Sequence, residues 1–390
     1  MKKIPLELSQ WVKDTRQDLH MHPELSLQEE RTCTKIAEIL ESLHIKVQRI
    51  KGHTGVIGLL KGKEKGPTLA FRADMDALPI EEQTDCAYKS IYPGKMHACG
   101  HDANTAIMLA TAKSLVDEGI AEKMKGNIKF VFQPAEEIGQ GAAMMVDNGV
   151  LKNPKVDCML AGHMDPELPV GTTGHFKTLG YAAADGFRIE IKGKGGHGGR
   201  PHECIDPIIA GAHLVSGLQS IVARNINPTK TAVISVGKFI SGKAANVIPE
   251  SALIEGTIRT FSDPVRDMTM ARIKDLVSGI DKSFLTTSDL IIRTGVPSVI
   301  NDPEMSHFLH DVAKKVLGLE KARYIQPITG SEDFSFFAQK IPCAIMRIGC
   351  SNQEKKITAR LHSPFFDIDE KALDVGVMIF NTAVKMYFNL

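Results

Sequence analysis

Residues 96–104, MHACGHDAN, place a thiol between two imidazoles. Cys99 stands two residues from both His97 and His101, and Asp102 follows directly. Three chemistries fit those letters. A cysteine nucleophile needs a base bonded to its sulfur and a third group orienting that base. A metal site needs soft and borderline donors brought to one point. A structural thiol needs neither. Acids and histidines elsewhere help to weigh the three. Asp74 and Asp76 close the run PTLAFRADMD, Glu136 and Glu137 follow KFVFQPA, His163 closes VDCMLAGHMD, and His362 lies in RLHSPFF. Each alone has an ordinary explanation, such as a hydrogen-bonded histidine or a solvated acidic turn. Together the nucleophile reading leaves Glu136, Glu137, His163 and His362 idle, whereas the metal reading employs them all. One thiolate, three imidazoles and a carboxylate suit a borderline divalent ion such as zinc, with manganese, nickel or cobalt also open. A donor set sharing one atom suits two such ions about 3.5–4 Å apart. Neighbouring glutamates point in different directions, so one can bind metal while the other faces a substrate.

These groups need a scaffold that gathers them. HTGVIGLL (53–60), PTLAFRADMD (67–76), NIKFVFQPAEE (127–137), VDCMLAGHMD (156–165) and CAIMRIGCS (343–351) read as buried strands. Helical periodicity covers 8–22, 29–44, 102–118, 303–317 and 369–388. Alternating strands and helices predict an α/β layer structure with a largely parallel central sheet flanked by helices. In such sheets functional groups collect beyond the carboxyl ends of the strands, which is where these acids and histidines fall. From Asp185 the rhythm changes to period-two strands, DGFRIEIKGK, TAVISVGKFI, SALIEGTIRTF and DLIIRTG, with helices at 205–224 and 264–284. The order βαββαβ is ferredoxin-like. The expected division is a catalytic domain, 1–184 with 296–390, and an inserted domain, 185–295. The insert carries GKGGHGGRPHECIDPI, whose loop presents His197 without a packing reason, and it holds Asn246 and Arg259. An arginine there is suited to fork onto a substrate carboxylate.

The bulk numbers narrow the partners. The chain has 390 residues, is 43% hydrophobic and carries a net charge of +1, which favours two domains and gives no basic stripe for nucleic acid. No apolar run approaches a membrane span or a signal peptide, so a cytoplasmic location and a small-molecule partner are expected. Seven scattered cysteines fit reduced thiols rather than a disulfide framework.

The ordered motifs RQDLHMHPELSLQE, RADMDALPIEEQT, MHACGHDAN, FQPAEEIGQGAAMM, AGHMDPELPVGT, GKGGHGGRPH, NVIPESALIEGTIRTF, TGSEDFSFF and LHSPFFDID span nearly the whole chain. In them the sequence resembles the metal-dependent amidohydrolases of the aminoacylase and carboxypeptidase G superfamily. The branch is that of hippurate hydrolase, indole-acetyl-amino-acid hydrolases and N-acetyl-diaminopimelate deacetylase. The resemblance implies a metallopeptidase-like hydrolase of N-acyl-L-amino acids with two divalent ions, zinc first. It makes Cys99, His101, Glu137, His163 and His362 the ligands, with the cysteine sulfur bridging. It makes Glu136 the general base and acid towards a metal-activated water, and Asp76 and Glu332 the acids that orient ligand imidazoles. It implies that Asn246 and Arg259 bind substrate, and that His197 reaches the active site of the other subunit in a homodimer, or dimer of dimers, built through the insert. Two departures, Ala103-Asn104 after the HACGHD motif and Gly198-Gly199-Arg200 in the glycine loop, touch no ligand, and the second places Arg200 near the pocket mouth.

Overall fold

The computed structural model describes residues 4–390. By internal contacts the chain forms two units. The larger comprises the chain up to Gly180, Ile300–Gln326 and Asp333–Leu390; the smaller comprises Tyr181–Val299 and Pro327–Glu332. The main segment of the smaller unit thus begins and ends four residues outside the expected 185–295, and the unit takes in a second segment, Pro327–Glu332, that sequence periodicity does not mark.

The larger unit is built on an eight-stranded sheet. Its order is Lys46–Arg49, Val56–Lys61, Lys125–Gln133, Glu64–Asp74, Cys158–Pro169, Cys343–Ser351, Thr173–His175 and Ala322–Tyr324. The four strands from Lys125–Gln133 to Cys343–Ser351 run parallel. These are the near-continuous apolar runs, because a parallel strand is covered on both faces. The shorter flanking strands include three antiparallel pairings. Helix His101–Asp117 is buried along almost all of its length, and with helices Leu6–Met21 and Lys371–Tyr387 it contributes to one continuous apolar core. In that core the Phe71 ring lies 6.2 Å from Phe130 and 5.3 Å from Phe380.

The smaller unit has the order strand, helix, two strands, helix, strand. Its antiparallel sheet runs Ala232–Ser241, Ser251–Thr260, Ala183–Lys192 and Thr287–Arg293, with helices Pro207–Ser220 and Asp263–Phe284. Every second residue of Ala183–Lys192 is buried, as the strand period requires when one face is covered. Ile189, Ile191, Leu214, Ile254, Ile258, Ile273 and Val277 fill the space between sheet and helices. Among the described residues no helix is long and apolar enough to cross a membrane. All seven cysteines are free.

Candidate metal centre

Parallel strands Glu64–Asp74 and Lys125–Gln133 end at the same sheet edge, and the turns beyond them carry Asp76, Glu136 and Glu137. His163 is placed differently from the sequence expectation, because its strand continues to Pro169. Its pairing with Glu64–Asp74 stops at Ala161, opposite Arg72. His163 is therefore the second residue past the point where that neighbour falls away. Cys99 precedes Gly100, the cap residue of helix His101–Asp117, and His101 opens the helix. Gly100 has φ +83°, and a Cβ there would lie 2.9 Å from Met164 Cβ. Glycine is required on both counts. Ala135 (φ +54°) and His362 (φ +64°) also take the left-handed conformation, which costs about 1 kcal/mol or more in a residue with a side chain. Tertiary hydrogen bonds hold both: Ala135 N–H donates to Glu29 Oε1 at 2.9 Å, and His362 N–H donates to Ala98 O at 2.8 Å.

Side-chain donors converge in two sets. Cys99, His101 and His163 have ligand-capable atoms within 4.8 Å of one another, as do Cys99, Glu137 and His362, so Cys99 belongs to both. Cys99 Sγ lies 3.6 Å from His163 Nε2. Glu137 Oε1 is 3.9 Å from His101 Nε2, and Oε2 is 3.6 Å from His362 Nε2. The hydrogen-bond pattern assigns the tautomers. His101 Nδ1 faces the Asp76 carbonyl at 2.9 Å and Oδ1 at 3.2 Å. His163 Nδ1 faces the Met164 carbonyl at 2.8 Å. Both rings donate from Nδ1, which leaves the Nε2 lone pairs turned inward. His101 Nε2 and Glu137 Oε1 are buried with no hydrogen-bond partner, a costly arrangement for protein groups alone. Burial pushes the Cys99 thiol well above its ordinary range, raises the Glu137 carboxyl and lowers His163 to about 3. A site that disfavours isolated charge accepts a thiolate and a carboxylate together against a cation. The donor set fits a divalent metal.

The layer behind is tied down by ions. Asp76 Oδ2 accepts from Ser26 Oγ at 2.7 Å and from Glu137 N–H at 3.1 Å. The buried Arg72 guanidinium donates to Gln133 Oε1, Asp74 Oδ2 and Asp333 Oδ1 at 2.8, 2.7 and 3.0 Å. Asp102, next to His101, accepts from Arg16 Nε at 2.8 Å and faces His20 Nδ1 at 2.8 Å. Asp74, Asp76 and Asp102 are named in the sequence reading, but the partners Ser26, Arg72, Gln133, Asp333, Arg16 and His20 are not. The one available signal was an arginine inside the apolar run LAFRAD. His97 is fully buried with neither ring nitrogen hydrogen-bonded, and its centroid lies 6.3 Å from that of His20.

Residues 70–386 match the model for peptidase family M20/M25/M40. The chain belongs to this family. It is a hydrolase of amide bonds, in a family of metal-dependent amidohydrolases and peptidases. It is 41% identical to an N-acetylcysteine deacetylase of Bacillus subtilis over 94% of this chain and 93% of that protein. It is 36% identical to the IAA-amino acid hydrolase ILR1-like 4 of Arabidopsis thaliana over 97% and 86%. A Bacillus subtilis structure described as a dinuclear metal binding peptidase from the M20 family superposes with a TM-score of 0.84 at 35% identity, covering 99% of each chain.

The remaining candidates of this M20-family chain lie in the smaller unit. His197 is exposed and pairs with Val247 across a two-residue ladder, and Gly198 N–H donates to Asn246 O at 2.9 Å. His197 and Asn246 are thereby neighbours beside a groove of about 590 Å³ lined by Gly198, Pro201, Lys243 and Val247. Arg259 is half-buried in strand Ser251–Thr260, with Nη1 donating to the Ile258 carbonyl at 3.1 Å. Arg200 is exposed, its Nη1 3.9 Å from Glu203 Oε1. Glu332 is buried in the segment Pro327–Glu332. Its neighbour Asp333, which sequence reading missed, belongs to the larger unit and accepts from Arg72, Gln133 and Ala142 N–H.

Proposed function

We propose that this protein hydrolyses the amide bond of N-acyl-L-amino acids at a centre of two divalent cations. Cys99, His101, Glu137, His163 and His362 are the ligands in this reading, with the Cys99 sulfur shared. The observation that carries it is the pair of donor sets meeting at Cys99, with His101 Nε2 and Glu137 Oε1 buried and unpartnered. Zinc suits a thiolate with three imidazoles best. The names of two relatives, an N-acetylcysteine deacetylase and an IAA-amino acid hydrolase, favour this substrate class over longer peptides.

Cations bound there would polarise the amide carbonyl and acidify the attacking water. Glu136 takes that water's proton as the C–O bond forms and delivers it to the amine nitrogen as the C–N bond breaks. Its position supports the role: it follows strained Ala135 and precedes Glu137, whose N–H is fixed by Asp76. Asp76 keeps the His101 ring in its Nδ1–H tautomer. Asn246 and Arg259 bind the substrate, and His197 serves the oxyanion in the other subunit of a homodimer. The dimer reading is supported by edge strand Ala232–Ser241, which pairs on one side only within its sheet and exposes Phe239 and Ile240.

Glu136→Gln tests the assignment. Turnover across a panel of N-acyl amino acids should fall by at least roughly 10²–10⁴-fold, while metal content stays at the wild-type value. A variant with wild-type rate removes Glu136 from the mechanism. Wild-type enzyme that cleaves none of the panel removes the substrate class.

A further inference from the structure

Away from this centre, His307, His310 and Asp311 lie together on helix Pro303–Leu317. Their i, i+3, i+4 spacing puts them on one face, and their ligand-capable atoms lie within 4.8 Å of one another. His307 Nε2 is 3.4 Å from Asp311 Oδ2, and His310 Nδ1 is 3.9 Å from Asp311 Oδ1. Two donors on one tetrahedral zinc ion stand about 3.3 Å apart at ordinary bond lengths, so small side-chain adjustments suffice.

His310 is the residue that decides. It is only 8% exposed. Its ring stacks on Tyr324 at 4.3 Å and meets His175 edge-on at 5.3 Å, so its plane is fixed by packing. Nε2 lies 3.2 Å from the Ala322 carbonyl oxygen. A carbonyl only accepts, so Nε2 carries a proton, and in the neutral ring Nδ1 is then a bare lone pair. That Nδ1 is buried and has no hydrogen-bond partner. The nearest acidic oxygen, on Asp311, is itself an acceptor and lies beyond hydrogen-bond range. A helix-surface ion pair explains His307 with Asp311, but it leaves the buried nitrogen unsatisfied. A cation shared by all three satisfies it. A ligating imidazole with its other N–H held by a backbone carbonyl is the usual metal-binding arrangement. His307 and Asp311 have side chains 70% and 40% exposed, so an ion reaches the site from solvent.

We propose that His307, His310 and Asp311 form a surface site for a divalent transition ion, zinc by its two-nitrogen, one-oxygen donor set, with water completing the shell. The site shares no residue with the amide-hydrolysing centre. By engaging His310, it would pin this helix face to the Ala322–Tyr324 strand that His310 already touches.

The test uses purified, metal-replete enzyme titrated calorimetrically with zinc chloride, comparing wild type with His307→Gln and Asp311→Asn. Both variants alter exposed or half-exposed positions and leave the buried ring in place. Wild type should take up one more equivalent of zinc than either variant, or bind that equivalent at least about tenfold more tightly. Added zinc should also raise the wild-type melting temperature more than that of either variant. Zinc uptake that is unchanged in both variants, or lowered in only one, overturns the proposal. Because the comparison is a difference between wild type and surface variants, it is readable whatever occupies the catalytic centre.

Discussion

Asp76→Asn is the substitution that the geometry of the centre makes most informative. The two carboxylate oxygens have separate duties. Oδ1 faces His101 Nδ1 at 3.2 Å, while Oδ2 accepts from Ser26 Oγ and from Glu137 N–H. Burial alone would raise this carboxyl, yet the His101 hydrogen bond and charge together with Ser26 hold it below its ordinary value. Asparagine has the same shape but only one acceptor oxygen. Placed with its amide towards His101, it sets N–H against N–H, and the ring cannot change tautomer without losing the Asp76 carbonyl at 2.9 Å. Placed the other way, it sets the amide against Glu137 N–H. One of two candidate ligands is therefore released in either orientation. A lost charge-assisted hydrogen bond is worth about 1.5–3 kcal/mol, which corresponds to a rise of roughly 10–100-fold in the metal dissociation constant. Chelator competition measures that constant, and thermal unfolding of the metal-free protein separates it from general destabilisation. Ser26→Ala is the control: it removes one donor to Oδ2, leaves His101 and Glu137 held, and should alter metal affinity little. An Asp76→Asn protein within about twofold of wild-type affinity would refute the reasoning, since positioning partners of this kind are worth about tenfold or more.

Three further outcomes follow from buried or edge groups. Lys129 is buried, and its Nζ donates to the carbonyls of Val150, Lys152 and Pro154 at 2.8, 2.9 and 3.0 Å. Lys129→Met leaves all three without their donor and should cost about 2–4 kcal/mol by urea unfolding; a loss below about 0.5 kcal/mol would mean that these carbonyls find other partners. Glu82 is buried, which opposes ionisation, but His20, Thr84 and Ser90 N–H outweigh burial and bring it from an ordinary 4.5 to about 2. Its folded value lies below its unfolded one, so its contribution is complete above pH 4.5 and lost as pH falls towards 2. Glu82→Gln should take up about one proton fewer on acid unfolding in that window, measured as a shallower dependence of stability on pH. Ile240→Asp places a charge on the exposed edge strand, and sedimentation should show loss of the homodimer proposed above. An unchanged assembly state would move the interface elsewhere.

The parallel core and the antiparallel insert were legible because their strands have different periods. Fully covered strands read as unbroken apolar runs, and Ala183–Lys192 alternates. The placement of Glu137 and His163 was legible for a related reason, since each lies near or past the last apolar residue of a buried strand, whereas Cys99 was marked by the imidazoles on either side of it. What stayed hidden depends on pairings between distant positions. Arg72 with Asp333 is separated by 261 residues and Arg16 with Asp102 by 86, and nothing local to either partner names the other. The strand through His163 also outlasts its neighbour, which only the register reveals.

Backbone conformation at the centre was hidden too, and it bears on how the site works. Gly100, Ala135 and His362 all have positive φ: Gly100 lies between Cys99 and His101, Ala135 is two residues before Glu137, and His362 is itself in the donor cluster. Only the first is a glycine. Strain at Ala135 and His362 persists because the Glu29 carboxylate and the Ala98 carbonyl accept from the backbone N–H groups of those turns. Relaxing either turn to an ordinary conformation would swing Glu136 and Glu137, or the His362 ring, away from Cys99. The fold thus fixes the donors by constraining the chain between them. That is the arrangement a hydrolytic centre needs if its base is to meet a substrate without reorganising first.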